Sequence, residues 1–205
     1  MKDIKTLLLL AACAVIFFLC FYFPNVIMEK NNAYKILSNF TASIQVKNET
    51  NSFNFEINNK MTGLKAPDVL YSKTKKDPKE KYLSELVRQK PLLIYRYADI
   101  NCSDCYEIEL KALQAEFAGT PELAIVLCSY RMDQEFIVFK KLNQIKLPLY
   151  RVDSDAFDWI IESYGNPYYF VLHPDMKISH IYVPNKAFPD FNKQYLEGVK
   201  RFLSE

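Results

Sequence analysis

The 205-residue sequence has few of the residues that several classes of functional site require. It contains four glycines and no glycine-rich phosphate-binding loop, and its two histidines do not follow paired cysteines at zinc-finger spacing. The net charge is only +2, so no strong electrostatic field favours a nucleic acid partner. Five cysteines are too few for a small disulfide-stapled scaffold. The sequence therefore predicts no nucleic acid partner, no cofactor and no metal site.

What the sequence does contain is apolar residues, which make up half of the chain and are concentrated first at the amino terminus. Leu7 to Phe23 is an unbroken run of 17 apolar residues, at the short end of what spans a bilayer. Lys2 and Lys5 precede it, and the positive-inside tendency keeps such an amino terminus in the cytoplasm. Residues 1–28 are therefore predicted to be a single-pass signal anchor in a bacterial inner membrane, with the rest of the chain outside the cytoplasm.

A second interpretation of the same segment comes from "LAAC", which ends at Cys13. It resembles a bacterial lipoprotein signal, in which the cysteine becomes the lipidated first residue. The apolar run before Cys13 is short, and strongly apolar residues follow where a lipoprotein normally has a polar linker. An uncleaved anchor is therefore favoured over lipidation. Both interpretations tether the later domain to a membrane, facing away from the cytoplasm.

Residues 29–61 are rich in Asn, Ser and Thr and contain two short stretches in which apolar and polar residues alternate. This alternation predicts a linker with a β-hairpin. The apolar positions of the two predicted strands are Ile44, Val46, Phe53, Phe55 and Ile57.

Residues 62–205 are predicted to form one α/β domain with its own core. Apolar runs typical of strands occupy residues 91–98, 123–130, 147–153, 167–173 and 178–183. Helical patterns follow the cysteines and occupy residues 133–145, 155–165 and 191–205. The order β-α-β-α-β-α-β-β-α predicts a central mixed, mostly parallel sheet flanked by helices.

The first helix of this domain has an apolar side and a polar side. Tyr106, Leu110 and Leu113 repeat at helical spacing on the apolar side, whereas Glu109 is assigned to the polar side. Gly119, just beyond the pattern, is a typical helix terminator.

Cys102 and Cys105 stand where the first predicted strand gives way to this helix. A helix amino terminus offers unpaired N–H groups and the positive end of the helix dipole, and both stabilise a thiolate. Cys102 is therefore the predicted nucleophile. Cys105, one turn later, is placed to resolve a mixed disulfide formed on Cys102. The pattern indicates thiol–disulfide exchange.

Two other interpretations of the cysteine pair are less favoured. A structural zinc site needs further ligands, but Cys128, His173 and His180 are not paired at ligand spacing, and both histidines are predicted to be ordinary strand residues. An inert pair or a structural disulfide is the second alternative. A loop this short closes little chain entropy, so such a disulfide adds little stability.

Three stretches carry a family pattern: "GLKAPDVLY", "YLSELVRQKPLLIYRYADINCSDC" and "YGNPYYFVLHPDMKI". Together, over residues 62–203, they resemble the thioredoxin-like proteins, in particular the membrane-anchored, extracytoplasmic thiol–disulfide oxidoreductases of the TlpA and ResA type in bacteria. The resemblance implies a three-layer thioredoxin-like fold with Cys102 and Cys105 as the reactive pair. It also implies that Pro167 is a cis-proline that forms a substrate groove with Asn166.

The resemblance implies an enzyme whose partners are exported thiol or disulfide proteins and a membrane electron donor or acceptor. Asp104 and Glu107 make the first turn after Cys102 acidic, which predicts a reducing or neutral potential and not a strongly oxidising one. Many family members carry a buried acid that assists the cysteines, and in this chain Arg96 occupies the corresponding region.

Two other functions remain open at this point. A thioredoxin-fold binding or envelope-biogenesis module, with weak or no redox activity, would use surface such as the lysine-rich residues 72–81. A thiol peroxidase of a related fold carries a threonine three residues before its cysteine, but this chain has Asp99 there. An assay of disulfide exchange distinguishes the binding module from the oxidoreductase.

Overall fold

The computed structural model describes residues 15–18, 23–68, 82–98, 103–130 and 132–205, of which 23–27, 29, 103–105 and 133 are described in backbone only. The chain divides into two units, residues 1–49 and 50–205. Cys13 and most of the predicted membrane span lie outside the described residues. Within the described part of the chain, no helix combines the length and the apolar character needed to cross a membrane.

The β-hairpin predicted within residues 29–61 is wrong, because a helix, α1, runs from Phe23 to Met61. Phe53, Ile57 and Met61 recur every four residues and pack against the core of the second unit, whereas Phe55 is exposed. Alternation over a few residues predicts a strand only if the alternate side chains share one buried face. Here the buried side chains follow the helical period instead.

Asparagine side chains explain why this end of α1 lies beside a strand. The Asn58 side-chain oxygen accepts a hydrogen bond from the Ile181 backbone N–H at 2.9 Å. Asn54 accepts from the Val183 N–H at 2.6 Å and donates to its carbonyl at 3.1 Å. Backbone groups at a sheet edge need such partners, so these amides take the place of a neighbouring strand.

Among the described residues, five strands form one sheet in the order β3-β2-β1-β4-β5. Their bounds are Leu92–Ala98, Ala124–Ser129, Leu149–Arg151, Tyr168–Leu172 and Ile178–Tyr182, numbered β1 to β5. β2 is parallel to β1 and β3, whereas β4 is antiparallel to β1 and β5. The predicted strands are therefore confirmed. The prediction of a mostly parallel sheet is wrong, because two of the four strand pairs described are parallel and two are antiparallel.

The predicted helices of the second unit appear in the predicted order, and the structure adds a short helix before β1. After the end of α1 they are α2 Leu83–Leu86, α3 Ser103–Glu116, α4 Asp133–Leu142 and α5 Pro189–Ser204. The helix predicted at 155–165 is shortened to a 3₁₀ helix, Ile160–Tyr164. Trp159 has an extended backbone and places its ring against Phe170, with 5.3 Å between ring centres, so core packing replaces the first turns of that helix.

The two faces of the sheet carry separate hydrophobic clusters. Ile94 of β1 packs on one face with the end of α1, and Tyr95 and Tyr97 pack on the other with α3, α4 and α5. Side chains alternate along a strand, so a continuous apolar run fills both faces. The result is a layer of three helices on one face of the sheet and, on the other, a layer that includes the end of α1.

Candidate functional site

The predicted reactive pair belongs to the connection between β1 and α3. β1 ends at Ala98 and α3 begins at Ser103, so the predicted strand-to-helix transition is confirmed. Cys102 lies outside the described residues, and Cys105 is described in backbone only, in the first turn of α3. Because β4 is antiparallel to β1, with Tyr168 opposite Arg96, Pro167 lies at the sheet edge where β1 ends.

Pro167 is buried and Asn166 is exposed, directly before β4. No peptide bond in the described part of the chain is cis, so the predicted cis bond between them is wrong. The trans isomer of an X–Pro bond is intrinsically favoured by about 0.5–1 kcal/mol. Gly165, with φ 64°, supplies the change of chain direction before β4 in a backbone region that favours glycine.

Arg96 is buried on the face of the sheet opposite α3, where its guanidinium lies 5.5 Å from the centre of the Phe157 ring. Its Nε is 3.0 Å from Glu162 Oε1, and an N–H of the guanidinium donates to the Tyr97 carbonyl at 2.8 Å. The positive charge is therefore matched by a carboxylate, as a buried charge requires.

Tyr168 completes this ion pair. Its hydroxyl donates to Glu162 Oε1 at 2.6 Å. Burial and the neighbouring Glu162 charge raise the pKa of Tyr168 well above its ordinary value, so the hydroxyl stays protonated and keeps donating. Arg96, Glu162 and Tyr168 thus connect β1 with the segment on either side of Pro167.

The sequence analysis missed a buried acid, Glu109, which is only 4% exposed. Its predicted exposure on the polar side of α3 is wrong because Asn192 of α5 and Tyr169 of β4 pack against its carboxylate. The Asn192 amide of α5 donates to Glu109 Oε1 at 2.6 Å, and the Tyr169 hydroxyl donates to Oε2 at 3.2 Å. The burial of Glu109 could have been inferred from its place in the helical pattern. Glu109 lies four residues before the core residue Leu113 and therefore borders the apolar face of α3.

Burial raises the pKa of the Glu109 carboxyl, although the hydrogen bonds from Tyr169 and Asn192 offset part of this effect. Asn192 is held in turn by the Tyr182 hydroxyl, which donates to its side-chain oxygen at 2.7 Å. Glu109 follows Cys105 by one helical turn. A fixed acid with a raised pKa therefore lies in α3, the helix that carries Cys105.

Cys128 is fully buried in β2, opposite Tyr97 in β1. Its sulfur lies 3.5 Å from the Tyr150 carbonyl oxygen. Burial raises the pKa of the Cys128 thiol to about 12. A thiol with this pKa is almost entirely protonated at neutral pH and is a poor nucleophile, so the structure gives Cys128 a packing role.

We expect Cys128 to resist alkylation in the folded chain. With its pKa at about 12, its thiolate fraction at pH 8 falls roughly a thousandfold below that of an ordinary cysteine, and burial blocks access as well. Iodoacetamide labelling, read by mass spectrometry of the peptide that contains Cys128, measures this. The same peptide should label fully in urea. Rapid labelling of the folded chain would contradict the prediction.

The two histidines contact one serine. His173 Nε2 and His180 Nδ1 each lie 2.7 Å from Ser179 Oγ. His180 belongs to β5, as predicted, whereas His173 directly follows β4. In the described part of the chain, no group of three or more His, Cys, Asp or Glu residues is arranged to hold a metal ion.

No protein-family model matches the sequence, and no curated protein is significantly similar to it. Solved structures do resemble it. A thiol:disulfide interchange protein from Bacteroides sp. aligns with a TM-score of 0.54 at 17% identity, over 70% of this chain and 91% of that one. The fold is thioredoxin-like. The thioredoxin domain of a thiol-disulfide oxidoreductase from Bacteroides vulgatus aligns with a TM-score of 0.52 at 15% identity, over 69% and 97%. The predicted thioredoxin-like fold is confirmed.

Proposed function

We propose that the chain is a thiol–disulfide oxidoreductase that works through Cys102 and Cys105. The observation that carries this proposal is the position of the pair at the junction of β1 and α3 in a thioredoxin-like fold. The amino terminus of α3 supplies unpaired N–H groups and a positive dipole end to its first turn, which includes Cys105. This environment favours the thiolate that exchange chemistry needs.

The proposed reaction begins when the Cys102 thiolate attacks one sulfur of a substrate disulfide. A mixed disulfide forms, and the second substrate sulfur leaves as a thiolate that takes up a proton. The Cys105 thiolate then attacks the Cys102 sulfur of the mixed disulfide. The substrate sulfur that was bonded to Cys102 leaves as a thiolate and takes up the proton that Cys105 lost, so Cys102 and Cys105 end joined in a disulfide. Two electrons pass from the cysteine pair to the substrate, so a dithiol reductant must reduce the pair again.

We further propose that the chain is held at a bacterial inner membrane by residues 1–28, with the thioredoxin-like domain outside the cytoplasm. The apolar run from Leu7 to Phe23, preceded by Lys2 and Lys5, supports this arrangement. Exported proteins are then the substrates, and a membrane electron donor regenerates the pair. Lipidation at Cys13 is the alternative tether, and mass spectrometry of the amino-terminal peptide distinguishes a lipid-modified Cys13 from an intact Met1.

Insulin reduction by the full-length chain in detergent, with dithiothreitol as the reductant, tests the proposed activity. Cys102→Ser should lower the rate to that of dithiothreitol alone, because the thiol that attacks the substrate disulfide is missing. Cys105→Ser should accumulate a mixed disulfide, since the resolving thiol is missing. Cys128→Ala is the matched control and should retain activity. Equal rates for the wild-type chain and Cys102→Ser would overturn the proposal and favour a binding module.

A further inference from the structure

A cleft of about 1170 Å³ lies between α3 and α4, on the face of the sheet that α3 covers. Its floor is aromatic and is lined by Tyr106, Tyr130 and Phe139. The Phe139 ring centre lies 5.5 Å from that of Tyr106 and 5.4 Å from that of Tyr130. The buried Tyr97 stacks behind Tyr106 at 5.0 Å, so packing holds this floor in place before any ligand arrives.

The α4 wall of the cleft presents aliphatic side chains to solvent. Val138 is 47% exposed and Leu142 is 76% exposed, and the two lie one helical turn apart. Met132, just before α4, is also exposed and lines the same cleft. Apolar side chains that remain exposed beside an aromatic floor are typical of a binding surface.

The length and charge of the cleft indicate what would bind there. Tyr106 and Phe117 both line it, and the helical rise places them roughly 16 Å apart, the length of about five extended residues. The charged side chains of its lining balance, two acidic against two basic: Glu107, Glu135, Lys111 and Lys146. Phosphate-bearing ligands need a basic site, so an uncharged, apolar polypeptide segment fits this lining better.

The cleft begins at the end of the sheet where β1 stops and the connection that contains the reactive pair follows in the sequence. Tyr106 follows Cys105 directly in α3, and Tyr130 follows the end of β2, which is parallel to β1. We propose that the cleft between α3 and α4 binds an apolar segment of the substrate protein, with an aromatic side chain on its floor, while the substrate disulfide meets Cys102. This inference rests on the proposed oxidoreductase function and adds a basis for substrate selection.

Single-turnover oxidation of the reduced full-length chain tests the cleft. The substrates are a disulfide peptide with Phe and Leu beside its cysteines, the same peptide with Ser and Asn there, and oxidised glutathione. Val138→Glu should raise the half-saturating concentration of the Phe/Leu peptide about tenfold, because it places a charge against the apolar segment. The other two substrates should react as they do with the wild-type chain.

Ile137→Glu is the matched control, since Ile137 precedes Val138 in α4, is 36% exposed and does not line the cleft. It should leave all three reactions unchanged. Leu142→Glu repeats the test at a more exposed position in case Val138→Glu fails to fold. The cleft proposal is overturned if the cleft variants and the control give the same half-saturating concentration, or if the cleft variants slow oxidised glutathione equally.

Direct binding separates this inference from the proposed function. A dye-labelled Phe/Leu peptide with serine in place of its cysteines cannot exchange disulfides, so its fluorescence anisotropy reports binding alone. Weaker binding to Val138→Glu than to Ile137→Glu supports the cleft, even if no substrate oxidises Cys102. Equal binding to both variants, together with Cys102-dependent turnover of oxidised glutathione, would overturn the cleft and leave the oxidoreductase intact.

Discussion

Replacing Glu162 with alanine is expected to destabilise the second unit by about 3–5 kcal/mol, which is the cost of leaving a buried charge without its partner. The Arg96 side chain is 1% exposed, so its guanidinium cannot reach water when the carboxylate is gone. The Tyr168 hydroxyl loses its acceptor at the same time. Two buried polar groups are then left with weaker hydrogen bonding, and each adds to the cost.

Replacing the other partner of the ion pair, by Arg96→Met, should lower the free energy of unfolding clearly less. Glu162 is 21% exposed and keeps the hydrogen bond from Tyr168, so solvent and that hydroxyl still stabilise its charge. Methionine also fills most of the volume that the arginine chain occupied. We therefore expect the loss of Glu162 to lower stability more than the loss of Arg96 does, because Arg96 is the more deeply buried partner of the ion pair.

Urea unfolding followed by circular dichroism measures both changes at neutral pH. Glu56→Ala is the matched control, because Glu56 forms an exposed ion pair with Lys60, and such pairs contribute about 0–1 kcal/mol. If Arg96→Met lowers the free energy of unfolding as much as Glu162→Ala does, the predicted difference between the two variants is wrong. If Glu162→Ala lowers the free energy of unfolding as little as Glu56→Ala does, the ion pair between Arg96 and Glu162 contributes little to stability.

The second prediction concerns Glu109 and the dependence of stability on pH. Its folded-state pKa is raised, so the folded chain holds this proton more tightly than the unfolded chain does. The resulting stabilisation is fully present below the unfolded pKa, about 4.3, and is lost as the pH rises through the folded pKa. Glu109→Gln removes the titrating group and should therefore remove this part of the pH dependence.

Glutamine can preserve the hydrogen bonds at this site. Its amide oxygen can accept from Asn192, and its amide nitrogen can donate to the Tyr169 hydroxyl oxygen. That hydroxyl already lies 3.3 Å from the backbone carbonyl of residue 109 and can donate to it. Above the folded-state pKa of Glu109 we expect Glu109→Gln to equal or exceed the wild-type stability, by about 0–2 kcal/mol, because no buried charge remains.

Denaturation of both proteins at several pH values between 4 and 8 measures this effect. The difference between them isolates Glu109, because all other carboxyl groups titrate in both. Glu109→Leu is the contrasting variant and should lose about 1–3 kcal/mol, since the buried Asn192 amide then loses its closest acceptor and keeps only the Asn185 carbonyl oxygen at 3.2 Å. A stability difference between the wild type and Glu109→Gln that does not change with pH would refute the raised pKa.

The order of strands and helices in the second unit was predictable from the sequence. β1, β2 and β4 are buried on both faces, and a strand of that kind is a continuous apolar run whatever its neighbours are. The position of the cysteine pair between the end of β1 and the first turn of α3 in the sequence follows from the same local pattern. These features depend on residues that are close together in the chain.

Residues far apart in the chain decided the rest. Arg96 is buried beside a carboxylate 66 residues later, and Glu109 is buried against an amide 83 residues later. No local pattern contains such partners, so the polar spacing of α3 predicted an exposed Glu109.

The end of α1 illustrates the same limit. Its alternating residues predicted a strand, but Asn54 and Asn58 bond to backbone groups more than 120 residues away, and Ile57 is buried. The sequence by itself determined the order of the elements and the place of the cysteine pair, because hydrophobic periodicity is a local property. Only the tertiary structure decided which polar groups are buried and paired, because burial depends on contacts between distant segments.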